Sequence, residues 1–143
     1  VMSLNLKAVW LCMKYEIPEM LKRGAGAIVN TASGMANFAG PNFATYTTSK
    51  TALLGLTRSA AVDFGPAGIR VNALQPGATE TPMLHATLQN EASRNAASMA
   101  RIPLRRYSQP EEQAEVAVWL ASERASYING ACIVSDGGVT ALR

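Results

Sequence analysis

Ala27-Ile28-Val29-Asn30-Thr31, a helix-patterned run from Ala44 to Phe64, and Ile69-Arg70-Val71-Asn72-Ala73-Leu74 decide the fold of this chain. The first is a short apolar run of strand length, without the strict alternation of a half-buried strand, and the last is the next strand. Gly65-Pro66-Ala67-Gly68 stops the helix, and Gln75-Pro76-Gly77 stops the second strand. Strand, helix, strand in this order predicts a βαβ unit with parallel strands and a right-handed crossover. The first strand is expected to be buried in a parallel sheet covered on both faces. The helix is studded with Ala44, Ser49, Ala52, Gly55, Ser59 and Ala60, small enough for another helix to approach closely.

Upstream, Met2, Leu6, Val9, Met13, Ile17, Met20 and Leu21 recur at helical spacing and predict a helix over 1–23. Pro18 is expected to kink it or mark a late turn, and Gly24 and Gly26 stop it. Downstream, residues 78–106 read as a mobile, partly helical segment. Ser108-Gln109-Pro110-Glu111-Glu112 predicts a helix start. Ser108 would be the capping hydroxyl, with proline in the first turn and acids where the helix dipole favours them. That helix is expected to reach Ser122. Gly130-Ala131-Cys132-Ile133-Val134 predicts a last strand, turned by Asp136-Gly137-Gly138.

The chain of 143 residues is 48% hydrophobic and 16% charged, a balance that excludes a disordered chain and fits one packed domain over residues 1–143. A net charge of +3 with scattered positives predicts no nucleic-acid surface. No apolar stretch reaches membrane-spanning length, no signal peptide is read, and a cytoplasmic location is expected. Cys12 and Cys132 form neither a disulfide framework nor a zinc site and are expected to be buried, reduced thiols. No metal site is predicted. Trp10 and Trp119 are expected to pack in the core. The lone His85 is given no role, while Met83, Leu84 and Leu88 are expected to touch an apolar ligand or pack beneath a closing segment.

Tyr46 and Lys50 lie four residues apart near a helix start, so their side chains share a face. Alone, that pair is weak evidence. Ser33 strengthens it, because it follows the carboxyl end of the strand preceding the same helix, where open α/β sheets bind ligands. The next strand ends there too, in Pro76-Gly77-Ala78-Thr79-Glu80-Thr81. Such a cluster suits alcohol–ketone interconversion, which needs a proton acceptor or donor at the oxygen while hydride moves at carbon. A free tyrosine titrates near about 10. A cation about 4 Å away contributes roughly 4 kcal/mol at intermediate dielectric, up to roughly three pKa units before screening. A serine would hydrogen-bond the substrate oxygen and hold it near the phenol.

Ser33, Tyr46 and Lys50 together resemble the Ser…Tyr-x-x-x-Lys signature of the short-chain dehydrogenases/reductases. Ile28-Val29-Asn30 is similar to the family's strand, and residues 70–77 to its nicotinamide-side loop. Asp136-Gly137-Gly138 is similar to its C-terminal signature, and Leu4-Asn5-Leu6 to the helix segment with its catalytic Asn. The resemblance covers essentially all 143 residues. It implies a Rossmann-like, doubly wound parallel sheet and an oxidoreductase using NAD or NADP on a secondary alcohol or ketone. Asn5, Ser33, Tyr46 and Lys50 would be catalytic, with Asn5 supporting a proton relay through a water. Tyr46, Lys50, Pro76, Gly77, Thr79 and Thr81 would bind the cofactor. Thr81 reads equally as a helix cap before Pro82, and the two roles are compatible.

The family's Gly-x-x-x-Gly-x-Gly phosphate loop does not occur here, so only the C-terminal, catalytic part of the sheet is expected. The start at Val1, without methionine and on an apolar pattern, is also expected of such a part. A homodimer or homotetramer is implied, built through the helices at 1–23 and 44–64. The competing reading is a catalytically inactive oligomerisation module built from the same helices. A sugar epimerase, which shares Tyr-x-x-x-Lys, is disfavoured because the chain closes soon after Gly138.

Overall fold

The computed structural model describes residues 1–88 and 91–142. Its elements are α1 (Ala8–Arg23), β1 (Gly26–Thr31), α2 (Ala44–Phe64), β2 (Ile69–Pro76), α3 (Pro82–Thr87), α4 (Ala92–Met99), α5 (Pro110–Ala121) and β3 (Cys132–Ser135). The three strands form one sheet in the order β1-β2-β3, parallel at both junctions. Gly26 pairs with Ile69 and Thr31 with Leu74, while Ala73 pairs with Cys132 and Pro76 with Ser135. All three strands therefore end on one edge of the sheet.

The period-two rule explains how β2 sorts its side chains. Ile69, Val71 and Ala73 face α1 and α2, packing with Met13, Ile17, Leu53, Ala60 and Ala61. Arg70 and Asn72 face the other way. Arg70 donates to the carbonyls of Leu120 at 2.8 Å and Ser122 at 2.9 Å, holding the carboxyl end of α5. Asn72 is fully buried; it donates to Ile128 O at 2.9 Å and accepts from Ala131 N at 3.0 Å. The sheet thus lies between α1 and α2 on one face and the end of α5 on the other.

Several expectations are corrected. Both faces of β2 are covered, but in β1 only Ile28 and Asn30 are buried and Thr31 is exposed. With β1 at the sheet's end among the described residues, a cleft of about 520 Å³ opens along its outer edge. Cys12 is exposed and Cys132 half-buried. Trp10 is 47% exposed, although it stands three and seven residues before the buried Met13 and Ile17 of α1. As expected, α1 stops at Gly24, which is in the left-handed conformation, after running through Pro18 to Arg23. One π-helical turn at Ser3–Lys7 precedes it. Ser108 does not cap α5. Gln109 occupies the cap, and the Glu112 carboxylate accepts its N–H at 2.8 Å. The segment after β2 contains two short helices, α3 and α4. Among the described residues, no helix is long and apolar enough to cross a membrane.

Candidate active site

The loop after β1 turns at once. Ser33 is extended and buried, and its Oγ accepts the Met35 N–H at 3.2 Å. That bond uses an oxygen lone pair and leaves the hydroxyl proton for another acceptor. Thr51 donates to Ala36 O at 3.1 Å, tying this loop to α2. The chain then reaches α2 through a tight turn. Phe43 N–H bonds Gly40 O at 3.3 Å, and Asn42 takes a φ of 65°.

The first turns of α2 carry Tyr46, Ser49 and Lys50. The Lys50 Nζ lies 5.9 Å from the centre of the Tyr46 ring and donates to Thr31 O at 2.8 Å. The end of β1 therefore anchors the lysine beside the tyrosine. Burial lowers the Lys50 pKa from its ordinary value. Fully buried Ser49 donates to Tyr46 O at 2.7 Å and accepts from Asn5 Nδ2 at 3.2 Å. Asn5 sits in the π-helical turn, and its side chain reaches the Tyr46 backbone through Ser49. The sequence reading took Ser49 only as a small packing residue. The available signal was physical: a buried serine inside a helix must bond a carbonyl of the preceding turn.

The ends of β2 and β3 close the edge. A Cβ added to Gly34 would stand 3.5 Å from Pro76 O and 3.7 Å from the Asp136 carboxylate. One added to Gly77 would stand 2.6 Å from Asp136 Cα, so the backbones after β2 and β3 touch. Asp136 accepts Gly138 N–H and Thr140 N–H, both at 2.9 Å, and folds the last turn beneath that contact. Thr79 meets the Ser108 hydroxyl at 2.9 Å, and Ser108 N–H bonds Ala78 O at 3.1 Å. Thr81 accepts the Leu84 N–H at 3.3 Å and donates to Thr79 O at 3.2 Å, so it caps α3. His85 Nε2 lies 2.5 Å from Glu80.

The structure thus brings Asn5, Tyr46 and Lys50 into one connected group. Ser33 lies at the end of the neighbouring strand, and Pro76, Gly77 and Thr79 form the next strand end. Ser49, Thr31 and Ser108 are the holding groups that sequence reasoning missed. Among the described residues no cluster of His, Cys, Asp or Glu could hold a metal ion.

Known proteins are similar in sequence and fold over nearly the whole chain. Residues 1–140 match the sequence family described as enoyl-(acyl carrier protein) reductase. The 2,5-dichloro-2,5-cyclohexadiene-1,4-diol dehydrogenase of Sphingobium indicum is 47% identical over 142 residues, covering 99% of this chain and 57% of that protein. The cis-4-hydroxycyclohexanecarboxylate dehydrogenase of Sinomonas cyclohexanicum is 40% identical over 142 residues, covering 99% and 56%. The gluconate 5-dehydrogenase of Burkholderia cenocepacia, solved with NADP and tartrate, superposes with a TM-score of 0.93 at 33% identity, covering 98% and 55%. The chain therefore spans a little over half the length of these relatives. With its parallel sheet, its Rossmann-like layering and a family match across nearly its whole length, the chain belongs to the short-chain dehydrogenase/reductase family.

Proposed function

We propose that the protein is a cytoplasmic NAD- or NADP-dependent oxidoreductase. It interconverts a secondary alcohol and a ketone, with Tyr46 as the proton-transferring group. The observation that carries this reading is the anchored pair: Lys50 held beside the Tyr46 ring by Thr31 O, at the carboxyl edge of a parallel sheet. The donor set suits the cofactor. An ammonium has three N–H donors; one Lys50 N–H goes to Thr31 O, and two remain for the neighbouring hydroxyls of a ribose. Pro76, Gly77 and Thr79 would line the nicotinamide, and Thr81, its hydroxyl engaged in the α3 cap, would offer backbone groups.

A bound nicotinamide supplies the hydride acceptor in oxidation and the hydride donor in reduction. Tyr46 Oη takes the proton of the alcohol hydroxyl in one direction and returns it to the ketone oxygen in the other. Lys50 places a positive charge beside the phenol and stabilises negative charge on its oxygen. The unused Ser33 hydroxyl proton bonds the same substrate oxygen and orients it. Asn5 acts from behind, through Ser49, on the backbone that carries Tyr46. Two ring-alcohol dehydrogenases among the relatives support a cyclic secondary alcohol as substrate.

The test is cofactor reduction by the gene product with NAD+ and NADP+ over cyclic and acyclic secondary alcohols. Turnover of a cyclic alcohol with either cofactor supports the proposal. Binding of cofactor without turnover of any alcohol or ketone overturns it.

A groove of about 430 Å³ lined by Met2, Leu6, Trp10 and Leu56 supports the expected homodimer or homotetramer. It would serve equally an assembly module without catalysis. Sedimentation of the Trp10→Lys variant checks the assembly: dissociation to monomer supports this face, and an unchanged mass excludes it.

A further inference from the structure

We infer that Phe43 is a specificity-determining residue: its ring forms the wall against which the carbocycle of the alcohol packs beside Tyr46. This inference rests on the alcohol–ketone reading above. The turn before α2 fixes the position of Phe43. Gly40 O accepts the Phe43 N–H, Pro41 follows, and Asn42 adopts φ 65°. That pattern matches a type II turn, with proline second and a residue of positive φ third. Phe43 O then accepts the Thr47 N–H at 2.8 Å, which locks the residue onto the first turn of α2.

One helical turn separates Phe43 from Tyr46. Their ring centres lie 6.1 Å apart with the planes at 75°, an edge-to-face contact. Yet Phe43 stays 37% exposed beside the Tyr46 ring. On its other flank, a Cβ at Gly40 would stand 3.6 Å from both the Phe43 ring and the Met35 methyl group. Met35, Gly40, Phe43 and the Tyr46 ring therefore form a run of apolar side chains beside the phenol. Such a run favours a hydrocarbon ring over a polyhydroxylated chain, because apolar side chains offer no partner for extra hydroxyls.

The experiment compares kcat/KM for cyclohexanol with that for 2-propanol in the wild type, Phe43→Ala and Phe43→Leu, with cofactor present. The ratio of cyclic to acyclic efficiency is expected to fall about tenfold in Phe43→Ala, within the range that apolar pocket contacts give, and to recover largely in Phe43→Leu. A residue that merely props Tyr46 lowers both efficiencies together, and a ratio within about twofold of wild type in Phe43→Ala overturns the inference. Saturation-transfer NMR with cyclohexanol decides the point without turnover. Stronger transfer to its ring protons from the wild type than from Phe43→Ala supports the wall, and equal transfer overturns it. Absence of turnover in the wild type would count against the alcohol reading, while the NMR comparison still judges Phe43.

Discussion

Replacing Gly77 by alanine tests whether the strand ends meet as closely as the geometry requires. The new Cβ would lie 2.6 Å from Asp136 Cα and 2.8 Å from Asp136 Cβ, where ordinary contact begins at 3.4 Å. The neighbour is backbone, so no side-chain rotation relieves the overlap. The segments after β2 and β3 must part by about 0.8 Å, the difference between those distances. Overpacking of this kind costs typically about 1–3 kcal/mol. The Gly77 N–H to Ser135 O bond, now 2.8 Å, stretches in the same movement and adds about 1 kcal/mol. At roughly 3–5 °C per kcal/mol for a domain of this size, thermal denaturation should show a Tm lower by at least about 6 °C. Gly55→Ala is the control. Nothing lies within 4 Å of its added Cβ, and it sits inside α2. Relief of glycine's helix penalty there raises stability by about 0.5–1 kcal/mol. A Gly77→Ala protein as stable as wild type would refute the close approach of the two strand ends.

Arg70→Leu removes the guanidinium from the Leu120 and Ser122 carbonyls at the end of α5. A loss of about 2–4 kcal/mol is expected from the orphaned acceptors, and hydrogen exchange should quicken in α5 before α2. Glu112 is held down to about 2 by the Arg106 guanidinium and then by the Gln109 N–H. A carboxylate depressed in the fold adds stability above its unfolded pKa and loses it as pH falls through the folded one. The urea midpoint of Glu112→Gln should therefore lie below wild type near neutrality, and the gap should close between about pH 4.5 and about pH 2. Both partners are surface groups, so the gap itself should be small and shrink further in salt.

Periodicity carries far in this chain. The α2 bounds at Ala44 and Phe64 and the parallel βαβ unit follow from the apolar pattern and its glycine stops. Strand β2 runs two residues further than its apolar core, because Gln75 and Pro76 pair with Val134 and Ser135. A proline at a strand end is tolerated there. The faces of α1 were not legible: apolar residues surround it, so spacing alone could not choose Met13 and Ile17 over Trp10 for burial. The tasks of Arg70 and Asn72 depend on partners some fifty residues away, and no local pattern encodes them. The pair Tyr46 and Lys50 was readable from spacing. Its anchorage by Thr31 and Ser49 was not, because it depends on how β1 and the first helical turn lie against α2.

Alcohol-dependent reduction of the nicotinamide cofactor by wild type and Tyr46→Phe tests the proposed chemistry most directly. The substitution removes one hydroxyl and keeps the ring against Phe43. Proton transfer by a positioned side chain contributes about 10²–10⁴-fold, so kcat should fall by at least about a hundredfold while cofactor binding persists. A Tyr46→Phe enzyme that keeps more than about a hundredth of wild-type kcat would contradict the role of the phenol.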